Sequence, residues 1–357
     1  MRDFAARLIA WQQIHGRHDL PWQNTHDPYA IWVSEIMLQQ TQVSAVIPYY
    51  TRFMASFPDI AALAAAHEDA VLEHWSGLGY YSRARNLHAA AQYIIAQHEG
   101  RFPQQIEQIE ALPGIGRSTA AAIACFAFGQ RHAILDGNVK RVLARVFGIA
   151  GWPGQTVVEK RMWALAESLL PQEASITAYT QGIMDLGATL CTRSQPRCAA
   201  CPFADACVAH VEQRISELPS PKPRKTIPEK RTVMLLLLSG DEILLEKRPP
   251  TGIWGGLWSL PEADETANLP ELARQRFGCA KAELAPALPP FSHTFSHFRL
   301  EITPQPVWVE KTGMAEQGDR AWLAIEDALG AALPAPVRKL LKKLAAEKPL
   351  KFAGKQV

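Results

Sequence analysis

The sequence predicts a multi-domain protein in which an all-α domain is followed by a smaller α+β domain. At roughly 150 residues per domain, a chain of 357 residues is long enough for about two. Apolar residues recur at spacings of three and four through the first part of the chain, which is the period of an amphipathic helix. Further along, the pattern changes to short apolar runs separated by turn residues, which is typical of strands.

The change in pattern divides the chain into three predicted parts: a helical domain over 1–212, a linker over 213–231 and an α+β domain over 232–357. The linker contains four prolines and several basic side chains but little apolar surface, so it cannot pack a core of its own. Helices are predicted at Phe57–His67, Tyr81–His98, Ser118–Phe126, Val139–Phe147, Lys160–Leu170 and Leu269–Phe277. Strands are predicted at Thr232–Leu238, at Glu242–Lys247 and within Arg299–Val309, the last broken by Pro304 and Pro306.

Composition excludes a membrane protein and favours a cytoplasmic location. The longest strongly apolar run, Val233–Leu238, is far shorter than the ~20 residues of a membrane-spanning helix. Charges interrupt the first residues before the apolar core of a signal peptide could form. The net charge is only +2, but a phosphate-binding face depends on local rather than net charge, so an anionic partner stays possible.

Four of the six cysteines, Cys191, Cys198, Cys201 and Cys207, fall within 17 residues. In a reducing compartment such a cluster predicts a metal site rather than two disulfides. Its spacing differs from the paired Cys-x2-Cys arrangement that is usual for structural zinc.

A segment rich in Gly and Pro, Leu112–Ala120, lies between two predicted helices. Gly114 and Gly116 allow a tight turn and a close approach of the backbone to another group. The helix that follows would present free N–H groups, which suit an anion such as a DNA phosphate. An ordinary connection between helices is the alternative.

Glu35 is the first candidate catalytic residue. On a helix its neighbours at −4 and +3 are Ile31 and Leu38, so the carboxyl would face an apolar stripe. Desolvation there raises a carboxyl pKa and suits a general acid near neutral pH. A salt bridge to a nearby cation such as Arg52 is the alternative.

Asp136 follows Gly116 by 20 residues. The hairpin with its following Asp resembles the helix-hairpin-helix DNA glycosylases, and the segment Ser34–Val43 is similar to the adenine-specific members of that family. The resemblance extends from about Leu20 to Cys207 and continues more loosely beyond.

The resemblance implies a catalytic pair. Glu35 would protonate the departing adenine, while Asp136 would stabilise the sugar cation or bond to it briefly. Asn138 would support Asp136, whose alternative role is to cap the helix that starts near Val139. The base must leave the helical stack to reach these groups, so base flipping is implied.

The resemblance also implies contacts with DNA and a cofactor. Gln40, Thr41 and Tyr80, together with the hairpin residues Gly114, Gly116 and Ser118, would contact the duplex. The four cysteines would bind a 4Fe–4S cluster, the group held by the similar loop of these glycosylases.

Ser118 separates two kinds of glycosylase. In the similar endonuclease III, a Lys at this position forms a Schiff base and the DNA strand is cut. A hydroxyl cannot form an imine, so Ser118 predicts removal of the base by water with the strand left intact.

The second domain resembles a Nudix domain that has lost its metal site. The segment Pro249–Glu262 is similar to the start of a Nudix box, but Arg274 and Gln275 stand where metal-binding carboxylates are expected. The resemblance implies a binding module that reads 8-oxoguanine through Phe295, Ser296 and His297. Phe291–His293 nearly duplicates that motif and leaves its register open.

These observations predict a monofunctional adenine DNA glycosylase acting on adenine opposite 8-oxoguanine or guanine in double-stranded DNA. It would be a monomer in the bacterial cytoplasm, with its substrate in the nucleoid. One alternative is a bifunctional glycosylase and lyase of the endonuclease III type. The other is a non-catalytic DNA-binding module.

Overall fold

The structure is a computed structural model that describes residues 3–223, 227–295, 297–311 and 318–346. The described residues form two compact units. The helical unit comprises the residues up to Ala66 and those from Asn86 to 223, and the second unit comprises His67–Arg85 and the residues from 227 onward. The predicted division at 212 and 232 stays a prediction, and the sequence did not indicate that His67–Arg85 groups with the second unit.

Helices account for most of the chain up to residue 211. They are α1 Phe4–His15, α2 Pro28–Leu38, α3 Val43–Ser56, α4 Ile60–Ala65, α5 Glu68–His74, α6 Ser82–His98, α7 Ile106–Glu110, α8 Arg117–Phe128, α9 Gly137–Val146, α10 Thr156–Ser168, α11 Ile176–Asp185 and α12 Val208–Val211. A π-helical turn, Leu186–Leu190, continues α11 directly. No helix among the described residues is long and apolar enough to cross a membrane.

The core of the helical unit is built where α1, α9 and α11 meet. Phe4 on α1 stacks on Phe203 with ring centroids 4.5 Å apart, and Leu8 and Val142 are fully buried beside it. The apolar residues of α9 pack inward, and Lys140 and Arg141 lie on its less buried side, whereas Arg145 is buried. This packing fixes the position of the residue that precedes α9, Asp136.

The second unit contains a mixed sheet. Its strands are β1 Glu229–Ser239, β2 Glu242–Lys247, β3 Trp258–Ser259, β4 Glu262–Ala263, β5 Cys279–Leu284, β6 Phe291–Thr294, β7 Arg299–Lys311 and β8 Arg320–Ala324, and its later helices are α13 Leu269–Phe277, α14 Ile325–Ala328 and α15 Ala335–Ala346. The order of the main path is β3-β2-β1-β7-β5, with β4 beside β1, β6 beside β7 and β8 beside β2. The continuous apolar run in β1 is buried on both faces, as expected of a central strand.

The prediction that Pro304 and Pro306 break the strand was wrong. β7 runs through both prolines, which pair in parallel register with Met234 and Leu236 of β1. Their carbonyls accept hydrogen bonds from the segment between β5 and β6. Since the N and the C=O of one strand residue point to the same side, the missing N–H groups face that connecting segment and not the ladder with β1.

Candidate active site and DNA interface

Glu35 lies on α2, on the wall of a cavity of about 440 Å³ in the helical unit. Asp27 caps the helix by accepting a hydrogen bond from the Tyr29 amide, and Pro28 occupies the first turn, where its missing N–H costs nothing. Ile31 and Leu38 line the same cavity, so the apolar stripe predicted from the sequence faces it. The volume lies within the range of small-molecule sites.

The surroundings of Glu35 favour its protonated form. Desolvation and, second, the charge of Asp136 raise the pKa of Glu35 to about 8. The Arg52 guanidinium, the alternative partner, lies instead over the Tyr49 ring, 4.7 Å from its centroid. At neutral pH the carboxyl of Glu35 therefore carries a proton that it can donate.

Asp136 caps α9, because its Oδ1 accepts a hydrogen bond of 2.7 Å from the Val139 amide. Burial raises the pKa of Asp136, while hydrogen bonds from the backbone of Val139 and Asn138 act in the opposite direction, as do the charges of Arg141 and Lys140. Asp136 thus has the helix-capping role that the sequence predicted as an alternative. Capping holds the Asp136 carboxyl close enough to Glu35 for the charge of Asp136 to raise the pKa of Glu35.

Ser118, on α8, supports the backbone that leads into Asp136. Its Oγ accepts a hydrogen bond of 2.9 Å from the amide of Leu135, the residue immediately before Asp136. The Ser118 hydroxyl thus orders the segment that carries the second carboxyl.

The two glycines of the hairpin between α7 and α8 have different surroundings. Gly114 has φ +78°, and a Cβ there would come within 2.6 Å of the Cβ of Asn86. Gly116 caps α8, but apart from its chain neighbours a Cβ on it would meet no atom of the described residues within 4 Å. The side on which Gly116 lacks a side chain is thus open, and the first amides of α8 are near it.

Asn138 connects the start of α9 to the cysteine loop. Its Oδ1 accepts a hydrogen bond of 2.7 Å from Arg141, whose guanidinium also donates to the carbonyls of Gly187 and Cys191. A Cβ at Gly187 would come within 2.7 Å of the Cβ of Asn138, so the two backbones pack closely. The side chain of Asn138 therefore acts on the loop through Arg141.

The four clustered cysteines line one cavity. Arg145 is buried beside them and donates to the carbonyls of Leu218, Thr192 and Arg193, with Nη1 3.5 Å from the Sγ of Cys191. Within the described ranges, no three His, Cys, Asp or Glu side chains come together closely enough to hold a single metal ion. The donor chemistry fits a cluster with several metal atoms, since four thiols face one space and a cation lies next to it.

Gln40 and Thr41 form the turn between α2 and α3. Gln40 has φ +57° and an exposed side chain, while the amide of Thr41 bonds to the carbonyl of Leu38. A positive φ is uncommon for a residue other than Gly, and such strain is often found at functional positions.

Tyr80 belongs to the second unit and has the same unusual backbone, with φ +50° between Gly79 and α6. Its side chain is 51% exposed. The buried Arg83 guanidinium lies 5.7 Å from the Tyr80 ring and donates to the carbonyls of Leu78 and Gly79. The loop thus presents an aromatic ring to solvent on an ordered base.

The second unit places the two Phe-Ser-His motifs in different structures. Phe291–His293 lies within β6, paired with β7, whereas Phe295 and His297 lie in the loop of the β6–β7 hairpin. The Phe295 amide bonds to the Phe298 carbonyl at 2.8 Å, and the two rings stack with centroids 4.7 Å apart. Ser296 lies outside the described residues.

Arg274 and Gln275, predicted to stand in place of metal-binding carboxylates, lie on α13. Its acidic residue, Glu271, accepts hydrogen bonds from Arg274 at 2.7 Å and from Gln275 at 2.6 Å. Arg274 and Gln275 therefore both bind the neighbouring carboxylate of Glu271.

Sequence reasoning missed two residues that line the Glu35 cavity and a buried carboxylate that binds both of them. Arg17 and Gln181 line the cavity. Both bind the fully buried Asp185: Nε of Arg17 and Nε2 of Gln181 lie 2.7 and 2.9 Å from its Oδ1. No local pattern in the sequence indicates this group, because Arg17 and Asp185 are 168 residues apart.

Two protein-family models match the chain. A model of the HhH-GPD superfamily of base excision DNA repair proteins matches residues 33–168, and a model of the NUDIX domain matches residues 232–343. The matches fall on the helical part and on the sheet-containing part respectively.

Solved structures resemble the helical part. A thermostable thymine-DNA glycosylase superposes with a TM-score of 0.53 at 29% identity, covering 58% of this chain and 95% of that one. A trapped endonuclease III–DNA covalent intermediate gives a TM-score of 0.50 at 20% identity, with 58% and 94% covered. At that identity the second likeness shows the fold alone.

Relatives extend over nearly the whole chain. The adenine DNA glycosylase of Buchnera aphidicola subsp. Acyrthosiphon pisum (strain APS) is 36% identical over 342 residues, which are 95% of this chain and 97% of that protein. The adenine DNA glycosylase of Homo sapiens is 33% identical over 417 residues, covering 97% of this chain and 74% of that protein. With similarity of this extent across both parts, the chain belongs to the adenine DNA glycosylase family.

Proposed function

We propose that this chain is a monofunctional adenine DNA glycosylase of base excision repair. It hydrolyses the N-glycosidic bond of an adenine that lies opposite 8-oxoguanine or guanine in double-stranded DNA. The observation that carries the proposal is Glu35, a carboxyl whose pKa is raised to about 8 on the wall of a cavity large enough for a base, beside a second carboxyl, Asp136.

The two carboxyls divide the work of breaking an N-glycosidic bond. Glu35 gives its proton to the adenine ring, which makes the base a better leaving group. Asp136, in its ionised form, stabilises the positive charge that develops on the sugar, and water then completes the hydrolysis. The adenine reaches them only after it is flipped out of the duplex.

Gln181 contributes selectivity for adenine. Its amide nitrogen donates to Asp185, so its amide oxygen points away from that carboxylate. In the cavity this oxygen can accept a hydrogen bond from the exocyclic amino group of adenine, whereas the keto oxygen of thymine or guanine would repel it. Arg17 holds Asp185 in place and keeps this buried carboxylate paired.

The DNA backbone binds at the hairpin, according to this proposal. Gly116 leaves open space beside the first amides of α8, a helix of 12 residues, and the positive end of such a helix attracts a phosphate. Gly114 allows the turn, and Gln40, Thr41 and Tyr80 probe the duplex near the flipped base with amide, hydroxyl and aromatic groups.

A 4Fe–4S cluster is bound by Cys191, Cys198, Cys201 and Cys207. Support comes from four thiols on one cavity and from the hydrogen bonds through which Arg141 and Arg145 tie that loop to α9. The cluster would stabilise the loop, which carries the exposed Arg193 and Arg197. Purified protein should be brown and contain about four irons per chain. A colourless protein with one zinc would refute this assignment.

The loop of the β6–β7 hairpin reads the base opposite the adenine. Phe295 and His297 lie in that loop, whereas the duplicate motif at Phe291–His293 is held in a strand, which favours the later register. Ser296 is included because a hydroxyl can donate or accept at the ring position where 8-oxoguanine and guanine differ. A monomeric state and a cytoplasmic location stay predictions.

A single-turnover assay tests the function directly. Duplexes with A:8-oxoguanine, A:G and A:T pairs are incubated with excess enzyme, and base loss is scored separately from strand breakage. We expect adenine loss from the first two duplexes, intact strands until alkali is added, and no covalent complex after borohydride treatment. A trapped complex would restore the endonuclease III alternative, and binding without base loss would favour the non-catalytic module.

A further inference from the structure

Trp254 packs against the loop of the β6–β7 hairpin that carries Phe295 and His297, the proposed lesion-reading loop of the second unit. Its ring centroid lies 5.2 Å from that of Phe295 and 5.5 Å from that of His293, both within the range of attractive aromatic pairs. The side chain is only 9% exposed, and the backbone has φ +54°. A residue other than Gly rarely adopts this conformation unless its surroundings fix it.

The guanidinium of Arg248 also contacts the ring of Trp254. Its guanidinium carbon lies 5.6 Å from the centre of the Trp254 ring, within cation–π distance, and its Nε donates to the carbonyl of Ile253 at 3.1 Å. The backbone of Arg248 also closes the loop, since its amide bonds to the Leu257 carbonyl and its carbonyl accepts from the Gly256 amide. Arg248 therefore contacts Trp254 through its side chain and closes the loop that carries Trp254 through its backbone.

Glu262 holds the arginine in turn. Nη1 of Arg248 donates to Oε1 of Glu262, and both side chains are largely buried. Glu262 lies on β4, which pairs with the central strand β1 at Met234. In the sequence, Glu262 is the acidic residue at the start of the Nudix-like motif, in a chain where α13 offers Arg274 and Gln275 in place of metal-binding carboxylates.

We propose that the remaining part of this motif positions the lesion-reading loop: Glu262 orients Arg248, Arg248 orients Trp254, and Trp254 supports Phe295 and His293. The three supporting residues are positioning residues, because none of them needs to touch DNA. The motif thus keeps a function after the loss of its metal ligands. This inference rests on the proposed function, because it presupposes that the loop containing Phe295 discriminates between the two mispairs.

If the ion pair of Arg248 and Glu262 had only a structural role, its loss would affect excision differently from the loss of a positioning contact. Its loss would lower thermal stability and would slow excision from every substrate by the same factor. Loss of a positioning contact changes the ratio of the excision rates for A:8-oxoguanine and A:G, because only the lesion contact is affected.

The experiment uses full-length protein with its cofactor. Single-turnover excision from both duplexes is measured for Trp254→Ala, Trp254→Phe, Arg248→Met and Glu262→Gln, with the melting temperature of each variant. We expect Trp254→Ala and Arg248→Met to lower the rate ratio at least fivefold and Glu262→Gln to lower it less. Trp254→Phe should retain most of the ratio, because a phenyl ring still packs on Phe295.

Glu246→Gln is the matched control. Glu246 lies in the same sheet, accepts from Arg276 and Arg320, and is about as well buried as Glu262. The guanidinium groups of both arginines lie over the Phe277 ring, and Arg276 reaches only the backbone carbonyl of Glu262, not its carboxylate. We expect this variant to lose thermal stability and to keep the rate ratio.

Phe295→Ala separates the two proposals. If it lowers the ratio while Trp254→Ala and Arg248→Met do not, the positioning network is wrong and the lesion-reading loop stands. If Phe295→Ala also leaves the ratio unchanged, the proposed function of the loop is wrong. Equal slowing on both substrates by Trp254→Ala would likewise overturn the network, because it indicates a general packing role.

Discussion

The Glu35 cavity and the β6–β7 hairpin loop differ in how the surrounding residues act on the functional side chain. Glu35 lies inside the helical unit, where desolvation changes the chemistry of one carboxyl. Phe295, in contrast, lies at the end of a two-stranded hairpin and depends on rings stacked against it from its own unit. The first site changes a pKa, and the second fixes the direction of an aromatic side chain.

The difference shows which part of each site is sensitive to mutation. A desolvated general acid acts through its own protonation, so a change of one atom at Glu35 removes the effect. An exposed reading loop acts through its shape, so changes in residues that support it are expected to be graded. Substitution of Glu35 should therefore have a larger effect than substitution in the hairpin loop.

Replacing Glu35 by Gln keeps the shape of the side chain and removes its transferable proton. We expect single-turnover excision to fall by at least about 100-fold, because general acid catalysis typically contributes 10²–10⁴-fold. Binding of the A:8-oxoguanine duplex should be retained in a gel-shift assay. Glu110→Gln, at an exposed position on α7, is the control. Excision at a nearly unchanged rate would remove Glu35 from the mechanism.

The pH dependence of excision tests the same carboxyl without mutation. Because the pKa of Glu35 is raised to about 8, the acid form predominates below that pH and is lost above it. We expect the single-turnover rate to fall about tenfold per pH unit above pH 8. A basic limb near pH 5 would show that the carboxyl is not desolvated in solution.

Phe295→Ala is expected to affect discrimination more than catalysis. A specific base contact is worth roughly 1–3 kcal/mol, so the preference for A:8-oxoguanine over A:G should fall roughly 5- to 150-fold while excision from A:G changes little. The duplicate motif supplies the control, because Phe291→Ala alters a residue of β6 and should leave the preference intact. The reverse result would assign the reading role to the earlier motif.

The sequence predicted the residues whose signals are local. Helical periodicity placed Glu35 on an apolar stripe, and Ile31 and Leu38 do line its cavity. The cap at Asp136 and the spacing of the four cysteines are likewise short patterns, because a helix start and a metal loop are built from consecutive residues. The helix at Leu269–Phe277 was predicted with its observed bounds, since Asn268 and Gly278 mark its two ends.

The parts that sequence reasoning missed depend on contacts between distant residues. The buried pair of Arg17 and Asp185 joins positions 168 residues apart, and Arg145 binds carbonyls up to 73 residues away. Such pairs leave no periodic trace, because the partners belong to separate segments of the chain that only the folded structure brings together. Trp254 was likewise hidden in a motif whose known use is metal binding.

Ser118→Ala gives the smallest expected effect and tests how firmly the helical unit holds its second carboxyl. The substitution leaves the amide of Leu135, which is buried, without the acceptor now 2.9 Å away. An unsatisfied buried donor costs about 1–3 kcal/mol, so the free energy of unfolding should fall by that amount. Because Leu135 leads directly into Asp136, we also expect excision from both duplexes to slow by a few fold, with their ratio unchanged. Ser118→Thr keeps the hydroxyl and should recover most of the loss, and Ser168→Ala, at an exposed helix end, is the control for loss of a serine. If Ser118→Ala is as stable and as active as the parent, the hydroxyl does not order the segment before Asp136, and Ser118 matters only for the imine that it cannot form.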